Sequence, residues 1–449
     1  MTERVIVRRG AYYDSVTLML VSRAAASEAG ADAVAVGMAT PLNLELLADQ
    51  GFSVDDGLSP NDLVIAVRAS DPEAVVAAVD RELSAKAPVA SARAEVPAAR
   101  SLTAAARRDP EVSLAFLSIP GDHVAYEAAA ALAAGLHVFC FSDGVSLEVE
   151  AELKRTAIER GLLFMGADCG TAIVDGVALG FANAVRRGPV GIVGASGTGI
   201  QEVCCLLDAA GVGVSHAIGV GGRDLSAEVG GLMMRRGLEL LAADEGTRAI
   251  VAISKPPDPQ VARAVEQAAA DAGKPVVLGF DLKLEEAARQ AAELAGGALP
   301  AFDAELRRPP AAGDVRGLYS GGTLCAEAAR IVGRGTFVDF GADEYTQGRA
   351  HPMIDPSLRL EHLAAAGRDP AVAVILLDVV LGYGAHPDPA TDLAAAIQGL
   401  ERHVIVALCG AAGDPQGLDG QRERLEAAGA VVTRSNAHAA RLAKEAAGD

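Results

Sequence analysis

The sequence predicts a multidomain α/β protein built largely on parallel sheets. Short β-branched runs such as "RVIVRR", "ADAVAVGM" and "DLVIAVRA" alternate with alanine-rich segments of helical periodicity, which is typical of strands joined by crossover helices. Later runs, among them "PVGIVGAS" and "RAIVAIS", are almost entirely apolar, as expected of strands that are buried on both faces. A length of 449 residues indicates about three domains, because single cores rarely grow past roughly 250 residues.

Composition and charge exclude several classes of partner. Hydrophobic residues make up 51% of the chain but aromatic residues only 4%, so alanine and valine must fill the spaces between helices and sheets. The formal net charge of −20 argues against nucleic acid or an anionic membrane as partner, since both require a basic surface. It leaves open a small anionic substrate in a locally positive pocket.

The cysteine pattern, together with the lack of a signal-peptide or membrane-span pattern in the sequence, predicts a cytoplasmic protein. The six cysteines show neither C-x-x-C pairs nor zinc-site spacing, and we interpret them as small buried hydrophobes in a reducing compartment. The N-terminus "MTERVIVRRGAYYD" lacks the continuous apolar core of a signal peptide. No uncharged apolar stretch approaches the roughly 20 residues of a membrane span. We expect no metal site, because His and acidic residues are not grouped at metal-site spacing.

Two proline-rich breaks divide the chain. Residues 86–111 and 298–314 are rich in Ala, Pro and Arg and have no clear strand pattern, which is typical of linkers. The predicted domains are a small N-terminal α/β domain, a Rossmann-like domain and two flavodoxin-like domains, which cover residues 1–85, 112–187, 188–297 and 315–449. The last two share the order glycine turn, helix, strand, helix, strand, which indicates an internal repeat.

Each flavodoxin-like domain contains a turn of small residues between a strand and a helix. The turns are "GASGTG" at 194–199 and "SGGT" at 320–323. A helix N-terminus attracts phosphate or carboxylate, glycine allows close approach, and Ser or Thr can cap the helix. Neither turn is a Walker loop or a G-x-G-x-x-G motif, and one alone is more often a plain capped turn, but two favour a shared anion site. The predicted phosphate ligands are Ser196, Gly197, Thr198, Gly199, Ser320, Gly321, Gly322 and Thr323.

Four charged or titratable residues at strand ends are predicted to be catalytic. Lys255, after "RAIVAIS", contacts an anion or is a solvated loop lysine. Arg223, in "VGGRDLS", clamps a carboxylate or forms a loop pair with Asp224. Arg349 and His351, in "GRAHPMIDP", either contribute an acid or base near neutral pH or belong to a packed loop. Weaker candidates, for which a structural role is favoured, are His123, Asp168 and His386.

Several segments resemble succinyl-CoA synthetase. "GIVGASGTGIQE" is similar to the "GIVSRSGTL" turn of its α subunit, and "GLLFMGADCGTAI" to the "IGPNCPG" segment. "GLYSGGTLCAEAARI", "FVDFGAD" and "VILLDVVLGYG" resemble "NGAGLAM", "LDVGGG" and "VNIFGG" of the β subunit's C-terminal domain. In that family both turns begin helices that point at one phosphohistidine. The resemblance implies a CoA-binding-type domain at 112–187, an α-subunit-type domain at 188–297 and a β-subunit-type domain at 315–449.

The sequence is identified as a member of the FdrA family by longer motifs that are spread over nearly the whole chain. They include "DSVTLMLVSR", "ATPLNLELL", "IGVGGRDLS", "ISKPP", "LYSGGTL" and "GRAHPMIDP". FdrA-like proteins are associated with purine and allantoin catabolism, as part of an oxamate carbamoyltransferase that contains other subunits. The resemblance therefore implies a carbamoyltransferase-type transferase that acts with partner subunits on phosphate or carbamoyl phosphate. We also expect a homo-oligomer.

Departures from the ligase pattern argue against ATP-dependent acyl-CoA synthesis by this chain alone. The ligase carries its phosphohistidine in "GHAGA", whereas here "PVVLGF" leads into "DLKLEEAARQ", which has no histidine. "ISKPP" replaces the ligase's "GEIGG", so Lys255 stands where a glutamate orients that histidine. The sequence contains neither a Walker loop nor an ATP-grasp domain, so we expect no specific ATP binding. The alternative interpretation is an acyl-CoA synthetase-like protein without the phosphohistidine, acting as a CoA-binding or scaffold subunit.

Overall fold

The computed structural model describes residues 2–11, 13, 17–18, 21–22, 24–26, 31–54, 57–86, 99, 101–346 and 350–448. The chain divides into two compact units. The first comprises Met1–Ala98 and Asp343–Ala350, and the second comprises Ala99–Ala342 and His351–Asp449.

The first unit contains a three-stranded antiparallel sheet. Its strands β1 (Thr2–Arg8), β2 (Ala33–Met38) and β3 (Leu63–Ala69) are arranged in the order β1-β3-β2. Helices α1 (Pro41–Asp49) and α2 (Pro72–Lys86) follow β2 and β3. The sequence predicts parallel layers throughout, and the antiparallel pairing corrects that expectation for this domain, because an apolar run specifies burial but not strand direction. The helix predicted from residue 14 lies largely outside the described residues.

The second unit begins with a small parallel sheet. Its three strands pair in the order β4-β5-β6. Helix α3 lies within the predicted linker, and Ser101 caps it by accepting a hydrogen bond from Ala104 N at 3.2 Å. The elements are α3 (Leu102–Arg108), β4 (Leu114–Leu117), α4 (Gly121–Ala133), β5 (His137–Cys140), α5 (Leu147–Glu159) and β6 (Phe164–Met165).

A six-stranded sheet follows, in the order β12-β11-β9-β10-β7-β8. Strands β9 to β12 are parallel, whereas β7 and β8 form an antiparallel hairpin that pairs with β10. The predicted boundary at residue 187 assigns this hairpin to the preceding domain, but its pairing joins it to this sheet. The elements are β7 (Thr171–Val174), β8 (Val177–Gly180), β9 (Arg187–Gly194), α6 (Gly197–Ala209), β10 (Val214–Gly219), α7 (Leu232–Ala243), β11 (Ala249–Ile253), α8 (Pro259–Asp271), β12 (Val276–Gly279) and α9 (Leu284–Leu294).

The last sheet has five parallel strands in the order β14-β13-β15-β16-β17. Every residue of β15 is buried, which explains why its sequence is apolar except for Asp378. The elements are β13 (Asp314–Tyr319), α10 (Gly322–Val332), β14 (Thr336–Asp339), α11 (Ser357–Arg368), β15 (Val372–Val380), α12 (Pro389–Ile397), β16 (His403–Cys409), α13 (Leu418–Ala427), β17 (Val431–Thr433) and α14 (Asn436–Ala446).

The predicted fold class, a multidomain α/β protein with a small N-terminal domain, is confirmed. Both large sheets of the second unit are built mainly from parallel strands with crossover helices. All six cysteines are buried and free, as predicted. Within the described part of the chain, no helix combines the length and the apolar character that crossing a membrane requires.

Candidate functional site

The two glycine-rich turns lie in contact with each other inside the second unit. Ser196 precedes α6 and caps it, since its hydroxyl accepts a hydrogen bond from Gly199 N at 3.0 Å. The same hydroxyl donates to Thr323 Oγ1 in the first turn of α10, at 2.6 Å. The carboxyl ends of β9 and β13 are therefore adjacent, and the N-termini of α6 and α10 lie side by side.

Gly321 permits this close approach. A β-carbon at Gly321 would lie 2.5 Å from Thr198 Cγ2 and 2.6 Å from Thr198 Oγ1, closer than real β-carbons come to other atoms. Gly321 also has no side chain with which to cap α10, which begins without a side-chain cap. The first N–H groups of α10 therefore depend on another acceptor, such as water or a ligand.

Lys255 adds a positive charge at the start of α10. It follows β11 and is exposed. A β-carbon at Gly322 would lie 3.2 Å from Lys255 Nζ, so the ammonium group lies against the first residue of α10. Of the two interpretations of Lys255, this position favours the anion contact, because an ammonium and a helix N-terminus both attract an anion.

Asp339, at the end of β14, opposes this positive potential, and sequence reasoning missed it. Its Oδ1 accepts a hydrogen bond from Gly341 N at 3.0 Å, and its Oδ2 would lie 2.5 Å from a β-carbon at Gly322. Burial raises the pKa of Asp339; the Asp378 carboxylate raises it further, while the Gly341 hydrogen bond and Lys255 lower it. Its position at the carboxyl end of a parallel strand was the available signal.

The polar groups of Ser320 face the core of the last sheet rather than the paired helix starts. Its backbone N–H and its hydroxyl both donate to Asp378 Oδ1, at 2.8 and 2.9 Å. Arg359 Nη1 donates to the same oxygen at 2.6 Å, and both charged side chains are buried. Burial raises the pKa of Asp378, an effect that the Arg359 charge opposes. We therefore remove Ser320 from the predicted anion ligands, because both of its donors are already paired.

Arg223, whose side chain is exposed, pairs with a buried network of charged residues. It pairs with Glu150 Oε2 at 2.6 Å and donates to the Val145 carbonyl at 2.8 Å. Lys154, which is fully buried, bridges Glu150 and Asp224 at 2.8 Å each. Among the described residues, Arg223 has no hydrogen bond or ion pair with either turn. These contacts account for Arg223 without a ligand, and they hold α5 to the loop after β10.

His351 lies near the site but does not have the near-neutral pKa expected from the sequence. Its Nε2 would lie 2.8 Å from a β-carbon at Gly341, and its Nδ1 accepts a hydrogen bond from Met353 N at 3.2 Å. Burial, together with the nearby Arg359 charge, lowers the pKa of His351 to about 4. The ring is thus neutral at pH 7 and carries its proton on Nε2, where it can only donate a hydrogen bond. Arg349 lies outside the described residues.

The weaker candidates have structural hydrogen bonds. His386 Nδ1 accepts from Asp388 N at 3.0 Å. The backbone N–H of Asp168 donates to the Ser142 carbonyl at 2.9 Å, and that of His123 donates to the Pro120 carbonyl at 2.9 Å. The bonds of Asp168 and His123 involve only the backbone, so the structural roles favoured for these side chains from the sequence stay predictions.

Two buried carboxylates connect the six-stranded and five-stranded sheets behind the turns. Glu202, on α6, accepts a hydrogen bond from Asn436 N at the start of α14, at 2.8 Å. Glu327, on α10, accepts from Leu284 N at the start of α9 and from Asn436 Nδ2, both at 2.8 Å. Burial raises the pKa of Glu202 to about 8 and that of Glu327 to about 7. Each carboxylate caps a helix from the neighbouring sheet, so these bonds fix α6 and α10 relative to each other.

Comparison with known proteins identifies the family. The chain is 37% identical, over 510 aligned residues, to the Escherichia coli K12 protein named "Uncharacterized protein YahF", covering 99% of this chain and 98% of that one. The chain belongs to the FdrA family of succinyl-CoA synthetase-like proteins.

Three family models match separate parts of this FdrA-family protein. A "CoA-ligase" model matches residues 318–446, and a "CoA binding domain" model matches 185–281, the segment that contains α6 rather than the predicted 112–187. An "AllF, heavy metal-associated domain" model matches 1–98. Residues 1–98 contain neither Cys nor His, so methionine is the soft side-chain ligand that this segment offers a metal. In the described residues, no group of three His, Cys, Asp or Glu side chains could hold a metal ion.

More distant relatives are ligase subunits. A succinate–CoA ligase α subunit of Trichomonas vaginalis is 31% identical over 153 residues, which are 33% of this chain and 48% of that one. The sulfoacetate–CoA ligase subunit SauD of Bilophila wadsworthia is 28% identical over 155 residues, covering 33% and 52%. An acetyl-coenzyme A synthetase structure from Korarchaeum cryptofilum aligns over 80% of this chain and 87% of that one, at 16% identity and a TM-score of 0.35.

The prediction of a carbamoyltransferase is wrong. The matching models describe a CoA ligase and a CoA-binding domain, and the relatives from Trichomonas vaginalis and Bilophila wadsworthia are CoA-ligase subunits. These matches indicate the acid–thiol ligase class instead, which is the alternative that the sequence left open. They support CoA as a ligand and give no support to carbamoyl phosphate or to purine catabolism.

Proposed function

We propose that this FdrA-family protein is an acyl-CoA synthetase-type subunit that binds CoA and holds a phosphoryl group between the starts of α6 and α10. The observation that carries the proposal is the 2.6 Å contact between Ser196 and Thr323, which brings two helix N-termini together. Each helix start contributes about half a positive charge. Together with Lys255 they provide about two positive charges against a phosphate charge of about −1.5 to −2 near neutral pH, a balance that an ionised Asp339 beside Gly322 reduces.

The reaction that fits this arrangement is exchange between an acyl phosphate and CoA. The CoA thiolate attacks the acyl carbon, the bond from that carbon to the phosphate oxygen breaks, and the phosphate leaves with the electron pair. The thiol loses its proton to solvent, and the leaving phosphate takes up a proton from solvent to become hydrogen phosphate. Donors fixed around the phosphate stabilise the charge that develops on it as it leaves. This exchange requires neither a phosphohistidine nor a nucleotide, and the segment between β12 and α9 contains no histidine.

Formation of acyl-CoA from a free acid and ATP would require a separate nucleotide-binding subunit. We propose such a partner because the sequence contains neither an ATP-grasp domain nor the phosphohistidine motif. Association of the chain with itself stays a prediction.

The test is an assay of the purified protein with CoA and acetyl phosphate, and separately with CoA, acetate, ATP and Mg²⁺. We expect acetyl-CoA and inorganic phosphate from the first mixture and no acetyl-CoA from the second. Acetyl-CoA formation from ATP by the chain alone would contradict the proposal. If calorimetry shows that the protein binds CoA and phosphate, but neither acetyl phosphate nor another acyl phosphate yields acyl-CoA, the protein is a scaffold subunit instead.

A further inference from the structure

We infer that Thr171, the first residue of β7, donates its hydroxyl to the same phosphoryl group and so forms a third wall of the anion site. The inference rests on the function proposed above. A β-carbon at Gly197, the first residue of α6, would lie 3.1 Å from Thr171 Oγ1. The hydroxyl therefore lies against the helix start at which the phosphoryl group is proposed to bind.

Thr171 Oγ1 is unusual because it is buried without a hydrogen-bond partner among the described residues. The residue is only 2% exposed. Other buried threonines in this unit are paired: Thr323 Oγ1 accepts from Ser196 at 2.6 Å, and Thr433 Oγ1 lies 3.0 Å from His438 Nδ1. Since an unpaired buried hydroxyl is costly to stability, the unpaired hydroxyl of Thr171 points to a ligand.

The three sources of donors indicate the class of ligand. Thr171 offers a hydroxyl from β7, α6 and α10 offer backbone N–H groups, and Lys255 offers an ammonium. Donors that approach from several directions match a tetrahedral oxyanion with acceptors on every side, rather than a planar carboxylate with two oxygens. We therefore expect phosphate and sulfate to bind more tightly than acetate.

The decisive experiment compares T171V and T171S, using inorganic phosphate as the probe in calorimetry and thermal unfolding. We expect T171V to weaken phosphate binding by about tenfold or more, since a hydrogen bond to a charged ligand is lost. T171S, which keeps the hydroxyl, should bind within about threefold of wild type. Without phosphate, T171V should unfold at or above the wild-type temperature, because no existing bond is removed.

T433V is the matched control, because Thr433 is equally buried but already paired with His438. It should lower the unfolding temperature and leave phosphate affinity unchanged. Equal phosphate affinity of T171V and wild type would overturn this inference alone. Failure of the wild-type protein to bind phosphate would overturn the proposed function and this inference together. Acetate binding as tight as phosphate binding would contradict the assigned ligand class.

Discussion

The starts of α6 and α10 differ in how their N–H groups are satisfied. At α6, Ser196 caps the helix internally through Gly199 N. At α10, the corresponding residue is Gly321, which cannot cap, and the charged groups Lys255 and Asp339 lie beside Gly322. An internal cap stabilises a helix by itself, whereas an uncapped start gains most from a ligand. We therefore expect α10 to contribute more to anion affinity than α6.

A new side chain at the first residue of each helix should have the largest effect on phosphate binding. In Gly322→Val the new side chain would meet Asp339 Oδ2 and Lys255 Nζ, and we expect no measurable phosphate binding by calorimetry. In Gly197→Val the nearest atom to the new β-carbon is the Thr171 hydroxyl, at 3.1 Å, so we expect a smaller loss. Gly420→Val is the control, because a β-carbon there meets nothing within 4 Å. A larger loss for Gly197→Val than for Gly322→Val would reverse the ranking of the two helix starts.

Removing the cation should have the next largest effect. Lys255→Gln keeps much of the side-chain length but not the charge, and we expect about tenfold weaker phosphate binding at low salt. Lys255→Arg should restore part of the affinity. Wild-type binding should weaken as salt is added, and the glutamine variant should depend less on salt. Identical salt dependence of both proteins would show that Lys255 does not contact the anion.

The Asp339 carboxylate should make anion binding depend on pH. Because burial raises the pKa of Asp339, the group is neutral below that raised value and repels an anion above it. Affinity for sulfate, which stays a dianion across this range, should therefore fall as pH rises through the pKa of Asp339. At pH values above this raised pKa, Asp339→Asn should bind sulfate about threefold to fivefold more tightly than the wild type, with a flatter pH profile. Weaker binding by this variant would indicate that the carboxylate supports the ligand.

Removing the internal cap of α6 should affect anion affinity least. Ser196→Ala removes the acceptor for Gly199 N and the contact with Thr323. We expect a loss of about 1 kcal/mol in the free energy of unfolding, as for other N-caps. Phosphate affinity should change by less than about threefold, because the Glu202 and Glu327 hydrogen bonds still fix α6 and α10 relative to each other when the Ser196–Thr323 contact is lost. Denaturant unfolding and calorimetry on the same preparation separate the two effects.

The turns and Lys255 could be predicted from the sequence because they follow strand ends in local motifs. The roles of Ser320 and Arg223 could not, since their partners come from distant segments: Asp378 is 58 residues from Ser320, and Glu150 lies on α5. The low pKa of His351 is a consequence of burial, which the sequence does not specify. Thr171 and Asp339 were missed because neither belongs to a glycine turn, although both lie at strand ends. The antiparallel N-terminal sheet was missed because strand direction depends on tertiary pairing.

The most direct test of the central claim is an experimental structure of the protein crystallised with phosphate. We expect one tetrahedral anion within hydrogen-bonding distance of backbone N–H groups at both helix starts. These groups are those of Gly197 or Thr198 on α6 and of Gly322 or Thr323 on α10, and Lys255 Nζ should also contact the anion. An anion bound at one helix start alone, or helix starts that point to separate surfaces, would contradict the shared site.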